Sequence, residues 1–128
     1  MTTEKEQVYK CRDCGDILEV LHEGKGDFMC CGKPMELVKA NKKEDEGSEK
    51  HVPVLKKEEG KITVEIGEVE HPMEKSHYIE WIEILHGDTV YRKFLKPDDD
   101  PKATFNLNLD VEDVKAREHC SVHGLWTS

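Results

Sequence analysis

Four cysteines near the start of the chain constrain its fold more than any other feature. They form two pairs, Cys11-x-x-Cys14 and the adjacent Cys30-Cys31, and a glycine follows each pair. The segment around them is too short to bury a core, so it needs a metal to hold it together. Zn²⁺ and iron both bind a tetrahedral Cys₄ set. We therefore expect residues 1–38 to form a metal module, with distorted ligand angles at Cys30-Cys31 because successive side chains diverge.

The fifth cysteine and the overall composition restrict the compartment and the partners. An odd number of cysteines does not fit a closed disulfide framework, and a reducing compartment leaves thiolates free to bind metal. The residues after Met1 are polar and no apolar run is long enough for a membrane span, so we expect a cytoplasmic protein without membrane contact. The formal net charge of −9, with basic residues mixed among acids, argues against a nucleic-acid partner.

A second group of potential ligands centres on Cys120-x-x-His123 near the C-terminus. Two ligands leave a transition metal under-coordinated, so partners must come from elsewhere. The candidates are His51, His71 and His77, and these five side chains form one predicted metal centre. The alternative is that the Cys–His pair arises by chance and that His71 and His77 are exposed loop histidines.

The rest of the chain predicts a linker followed by an all-β domain. Residues 39–50 are charged and lack apolar periodicity, which is typical of a solvated connection. Residues 51–128 contain short runs of period two separated by Pro and Gly, which favour an immunoglobulin-like antiparallel β-sandwich. The predicted strands are 52–55, 62–66, 78–85, 89–95, 105–109 and 114–120. Alternation in the last strand points Cys120 inward and His119 outward.

Taken together, these motifs resemble the desulfoferrodoxin family of two-iron superoxide reductases. Six separated motifs occur in the family's order and use every cysteine of the chain. They are Cys11-x-x-Cys14, Cys30-Cys31, Glu49-Lys50-His51-Val52-Pro53, His71-Pro72-Met73, His77-Tyr78-Ile79-Glu80-Trp81 and Cys120-x-x-His123-Gly124. The resemblance implies a desulforedoxin-like N-terminal module, an immunoglobulin-like catalytic domain and a homodimer. It also implies the one-electron reduction of superoxide to hydrogen peroxide, with electrons from a rubredoxin-type donor.

The resemblance also implies two iron ions per chain and a role for each matching residue. The four N-terminal cysteines would bind a rubredoxin-like FeS₄ iron without inorganic sulfide. A catalytic Fe(II) would have Cys120 as axial ligand and four equatorial imidazoles, from His51, His71, His77 and His123. Glu49 matches the glutamate that closes on ferric iron in the family. Lys50 matches the cation near the open coordination site, where an acidic protein needs local positive charge to attract an anion.

Two other functions fit parts of the sequence. One is a cupredoxin-like or rubredoxin-like electron carrier without catalysis, and in its cupredoxin-like form Cys120-x-x-His123 would bind copper with a second histidine and Met73. That assignment leaves the other histidines and the Cys₄ module without a role. A zinc-binding interaction module without catalysis is the second alternative. Visible absorption distinguishes all three, because zinc is colourless whereas blue-copper and ferric–thiolate centres absorb strongly.

Overall fold

The computed structural model describes residues 2–128, and the chain divides into two compact units, one ending at Lys39 and the other beginning at Ala40. The fold is mainly antiparallel β, as predicted. Within residues 2–128, no helix has the length and apolar character needed to cross a membrane. The two units are described separately below.

The first unit consists of short strands around a very small core. Its strands are β1 (Val8–Lys10), β2 (Ile17–Glu19), β3 (Met29–Cys30), β4 (Lys33–Pro34) and β5 (Glu36–Leu37). Strand β1 lies between β2 and β5 in an antiparallel sheet, and β3 pairs with β4 in a hairpin. Its cluster of buried residues consists of Tyr9, Cys11, Val20 and Met35, with the Phe28 ring edge-on to Tyr9 at 5.0 Å. So small an apolar core explains why the unit needs additional cross-links.

The second unit is a sandwich of two antiparallel sheets. Its elements are α1 (Ser48–His51), β6 (Pro53–Glu58), β7 (Lys61–Ile66), β8 (Ile79–His86), β9 (Thr89–Phe94), β10 (Lys102–Phe105), a 3₁₀ turn (Val111–Asp113), β11 (Lys115–Cys120) and β12 (Gly124–Thr127). One sheet has the order β10-β7-β6 and the other β12-β11-β8-β9. In β7, Ile62, Val64 and Ile66 alternate with more exposed residues and enter a core shared with β8 and β11. Period-two burial therefore produces the sandwich.

The structure departs most from the prediction at one strand, which is shifted, and at two short elements, which were not predicted. The strand predicted at 105–109 instead spans Lys102–Phe105, because its ladder with β7 ends at Phe105. Leu107 and Leu109 still pack against the core, so their alternation reflects burial without strand pairing. The last strand, β12, was not predicted. The short helix α1 forms at the end of the predicted linker and buries His51.

The outward face of β11 is covered, although the alternation predicted an outward His119. His119 lies on the face opposite Cys120, but only 2% of it is exposed. Its ring stacks on Trp81, with centroids 4.6 Å apart and 7° between the planes, and Nδ1 lies 2.8 Å from a Glu80 carboxylate oxygen. A strand irregularity follows His119, where the pairing with β8 shifts before Cys120. Facing away from the core therefore does not mean facing water here.

Candidate metal centres

The four cysteine sulfurs of the first unit converge on one point. All four Sγ atoms lie within 4.8 Å of one another. Cys14 and Cys30 are 3.5 Å apart at sulfur, and Cys30 and Cys31 are 3.9 Å apart. Metal–sulfur bonds of about 2.3 Å in a tetrahedron give sulfur separations of about 3.8 Å, whereas a disulfide requires about 2.05 Å. The spacing therefore fits a tetrahedral metal site.

Left-handed backbone conformations bring these sulfurs together. Cys31 has φ of +51° and Gly32 has φ of +74°, which turns the chain sharply after Cys30. The divergence expected of successive side chains applies to extended backbone, and it does not occur here. At the other pair, Gly15 has φ of +87° and its N–H donates to the Cys11 carbonyl at 2.9 Å. Both glycines thus permit tight turns that few other residues would adopt.

The four sulfurs of this cluster shift one another's pKa values. The backbone N–H of Cys14 contributes most to lowering the pKa of Cys11 to about 7. The pKa of Cys30 is raised, mainly through the Cys11 thiol, and that of Cys31 is raised, mainly through Cys14. Four thiolates at this distance repel one another, so a bound divalent cation would favour their deprotonation.

The second centre gathers all five residues predicted for it. The ligand atoms of the group lie within 4.8 Å of one another; its members are His51, His71, His77, Cys120 and His123. The four rings follow one another around a closed cycle, with edge-on centroid distances of 4.7, 4.9, 5.0 and 4.8 Å in the order 51–71, 71–77, 77–123 and 123–51. The imidazoles therefore surround a common centre.

The tautomers of two histidines are set by backbone carbonyls. Nδ1 of His51 lies 2.8 Å from the Gly47 carbonyl, and Nδ1 of His71 lies 2.6 Å from the Pro72 carbonyl. Carbonyls only accept, so each Nδ1 carries the proton and each Nε2 presents a lone pair. The two Nε2 atoms are 3.1 Å apart, and neither can donate to the other. Nε2 of His77 is likewise buried without a hydrogen-bond partner. A cation among these nitrogens satisfies all three, and the donor set fits iron.

Burial sets the protonation of these imidazoles as well. Burial, more than any other cause, lowers the pKa of His71 to about 4, and it lowers the pKa values of His51 and His77 in the same direction. Charge on the neighbouring histidines adds to the effect. The imidazoles are consequently neutral near pH 7, which is the form that binds a metal.

Cys120, the last residue of β11, is the fifth member of the group. It is fully buried, and its sulfur accepts a hydrogen bond from the backbone N–H of His123 at 3.4 Å. Burial raises the pKa of the Cys120 thiol, whereas the backbone N–H groups of His123 and Val122 oppose that rise. The tight turn thus makes two contributions, because it supplies an imidazole and stabilises the thiolate.

Sequence analysis did not find Trp126 and Glu118, which also border this centre. The Trp126 indole stacks on His51 at 4.7 Å with 15° between the planes, and its Nε1 donates to the His123 carbonyl at 3.1 Å. Glu118 lies on β11 with both carboxyl oxygens buried and without a hydrogen-bond partner. Burial raises the pKa of Glu118 well above its ordinary value. If β12 had been predicted from the sequence, the alternation of side chains along it would have placed Trp126 on the inward face.

Glu49 and Lys50 lie next to the ligand group but outside it. Both are exposed on α1, and the Glu49 carbonyl accepts the N–H groups of Glu68 and Val69 at 2.7 and 3.0 Å. The Glu49 side chain borders a surface cavity away from the imidazoles. Lys50 borders a different surface cavity, of about 550 Å³, which reaches the ligand group at His71.

The fold and both ligand groups define a class of protein, namely an immunoglobulin-like sandwich with a His₄Cys centre preceded by a Cys₄ module. Comparison with known families agrees with this class. The sequence model of desulfoferrodoxin matches residues 43–128, and that of the desulfoferrodoxin N-terminal domain matches residues 3–38. The chain belongs to the desulfoferrodoxin family, which confirms the resemblance read from its motifs.

Individual relatives match over nearly the whole chain. A desulfoferrodoxin homolog from Archaeoglobus fulgidus is 54% identical over 126 residues, covering 98% of each chain. A desulfoferrodoxin from Nitratidesulfovibrio vulgaris is 50% identical over 120 residues, covering 94% of this chain and 93% of the relative. Among solved structures, the superoxide reductase from Treponema pallidum has a TM-score of 0.75 at 25% identity, covering 95% of this chain and 96% of that one.

Proposed function

We propose that this protein is a superoxide reductase that reduces superoxide by one electron to hydrogen peroxide. The observation that carries the proposal is the convergence of four imidazoles and one buried cysteine sulfur on a single point. The family membership and the superoxide reductase from Treponema pallidum, which has the same fold, support it. The reaction consumes one electron and two protons for each superoxide.

An iron ion bound by this group would supply the electron. The imidazoles of His51, His71, His77 and His123 would hold it through their ring nitrogens without cancelling its positive charge. Cys120 would hold it through its sulfur and donate electron density to it. The N–H of His123 moderates that donation through its hydrogen bond to the sulfur.

Two residues on α1 would control access of the anion. The net charge of −9 repels superoxide, so attraction has to be local. Lys50 supplies a positive charge at the cavity that reaches His71, and it would stabilise negative charge developing on the product. Glu49 would close the sixth position of the oxidised centre, which requires its side chain to move from the neighbouring cavity.

The first unit would bind a separate iron through Cys11, Cys14, Cys30 and Cys31, without inorganic sulfide. In this proposal residues 1–38 form that module, 39–50 the linker and 51–128 the reductase domain. A rubredoxin-type donor would return the iron to its ferrous state. The free thiols are consistent with a reducing compartment, and we place the protein in the cytoplasm on that basis.

We further propose that the chain forms a homodimer. Among residues 2–39, four large apolar side chains are exposed, which is a high proportion for so small a module. They are Leu18 at 46%, Leu21 at 79%, Met29 at 61% and Leu37 at 46%. Leu18 and Leu37 flank Tyr9 across the three-stranded sheet, so their side chains share one face. A second copy would cover that face.

The stoichiometry of the reaction provides the test. Superoxide is added in pulses to anaerobically purified, iron-loaded protein in the presence of a reductant, and hydrogen peroxide is counted. Reduction yields one peroxide for each superoxide, whereas dismutation yields one for every two and needs no reductant. His71→Ala should abolish the reaction, whereas His22→Ala, which replaces an exposed histidine of the first unit, should not change it.

A visible spectrum and metal analysis of the same sample separate the alternatives. Ferric–thiolate bands that bleach on reduction support the proposal. A colourless zinc protein, or an intense blue-copper band, would contradict it.

A further inference from the structure

Met73 holds the loop that carries two of the five ligands. It lies between His71 and His77, and its sulfur accepts the N–H of Ile79 at 3.4 Å. Its carbonyl accepts the N–H of Asp98 at 2.9 Å. The side chain also packs against the core of the sandwich. Met73 therefore connects the ligand loop to β8, to the segment around Asp98 and to the core.

The same side chain is open to the surface near the metal centre. Met73 borders the cavity of about 550 Å³ together with Lys50 and His71. A small molecule that leaves the ligand group through this cavity passes Met73. A thioether sulfur has two lone pairs, and the contact with Ile79 uses one of them.

We propose that Met73 is an oxidation site for the hydrogen peroxide formed at this centre, an inference that depends on the proposed function. The sulfur lone pair attacks one oxygen of the peroxide and the O–O bond breaks. The other oxygen leaves as water after proton transfer. Sulfur is oxidised by two electrons to the sulfoxide and the peroxide is reduced, so no further reactant is required.

Oxidation at this position would act on the metal centre. The sulfoxide is polar and larger than the thioether, and it fits poorly against an apolar core. The loop between His71 and His77 would then loosen, and the spacing of the two imidazoles would change. Turnover would therefore gradually release the metal, so that the enzyme limits its own lifetime when peroxide accumulates.

The other methionines provide an internal control. Met29, in the first unit, is 61% exposed, whereas Met35 is only 9% exposed. If exposure to solvent alone determines which methionine is oxidised first, dissolved peroxide oxidises Met29 before Met73. If the peroxide arises at the metal centre, Met73 is oxidised first. The order of oxidation thus reports where the oxidant is formed.

The test uses the full-length, iron-loaded protein with superoxide and a reductant in two parallel reactions, one with catalase to remove peroxide from solution and one without catalase, in which the hydrogen peroxide formed is measured. Peptide mass spectrometry measures the gain of about 16 Da at each methionine. We expect the oxidised fraction of Met73 to rise with turnover and to exceed that of Met29 several-fold. In a parallel sample, metal-free protein treated with reagent peroxide should show Met29 oxidised first.

Two variants of similar volume test the consequence for the metal. Met73→Leu should reduce iron loss per turnover several-fold, whereas Met29→Leu should lose iron like the parent. Unoxidised Met73 after turnover with measured peroxide would overturn this inference and leave the proposed function intact. Equal iron loss in Met73→Leu and the parent would also overturn it. Absence of peroxide from the loaded protein would instead overturn the proposed function itself.

Discussion

Gly67 packs directly against the backbone of Lys50. A Cβ atom at position 67 would lie 2.6 Å from the Lys50 carbonyl carbon and oxygen, and Gly67 has φ of +79°. Its N–H also donates to the Val52 carbonyl at 3.1 Å. The close approach holds α1, which carries Lys50 and His51, against the start of the ligand loop. Glycine is required here both by conformation and by space.

Gly67→Ala should therefore destabilise the protein and displace α1. We expect the free energy of unfolding to fall by roughly 3 kcal/mol, from the left-handed conformation and from overlap with backbone. Gly60→Ala is the matched control, because Gly60 has φ of +78° with no atom within 4 Å of the added Cβ. It should cost only about 1 kcal/mol. Urea unfolding measures both, and equal losses would show that the contact with Lys50 has no effect.

Lys50→Ala should slow the encounter with superoxide. Removing the positive charge at the cavity should lower the second-order rate constant by about threefold to tenfold and flatten its dependence on ionic strength. Iron content should stay normal. Lys61→Ala is the control variant. Lys61 begins β7, whereas Gly67, which contacts Lys50, follows the other end of that strand. Stopped-flow or pulse-radiolysis experiments at several salt concentrations measure this rate constant. A Lys50→Ala protein with the parent's rate constant and salt dependence would rule out steering by this residue.

Glu49→Ala should change the oxidised centre and leave the first encounter nearly unaffected. If the carboxylate moves from its surface cavity to the sixth position, its loss should alter the ferric visible spectrum and let small anions such as azide bind more tightly. The Glu68→Ala variant, at the same cavity, should keep the parent spectrum. A Glu49→Ala protein with unchanged spectrum and unchanged azide binding would exclude a ligand role.

Cys14→Ser should separate the two centres functionally. Loss of one of four converging sulfurs should remove the FeS₄ absorption and destabilise the first unit, which has few other stabilising contacts. Superoxide reduction with an artificial electron donor should remain largely intact. If the variant retains iron at the His₄Cys group yet no longer reacts with superoxide, the second centre is not catalytic by itself.

The metal-free protein should lose stability in mild acid. His71 has a folded-state pKa of about 4, below its ordinary 6.5, so the unfolded state binds more protons between these values. The unfolding free energy should fall as pH decreases from about 6.5 to about 4, by on the order of 2–3 kcal/mol for this residue. Urea titrations across this range measure the slope. His71→Gln should flatten it, and His22→Gln should not.

The sequence indicated both candidate ligand groups and most strands of the second unit. Cysteine pairs, glycines after them and scattered histidines are local signals, and period-two alternation is also local, so Ile62, Val64 and Ile66 could be assigned to one buried face. The two ligand groups follow from these patterns together with the family resemblance. Short elements with weak periodicity, such as α1 and β12, lie beyond this kind of inference because burial by distant residues stabilises them.

Tertiary structure decided everything that depends on residues far apart in the chain. The burial of His119 beneath Trp81 comes from strand pairing, which alternation along one strand cannot reveal. The same holds for Gly67 against Lys50, since a glycine's neighbours are fixed only when the loop closes. Most of all, the carbonyls of Gly47 and Pro72 set which nitrogen of His51 and His71 can bind metal. Residue identity supplies the ligands, and folding alone sets their distance, tautomer and access to solvent.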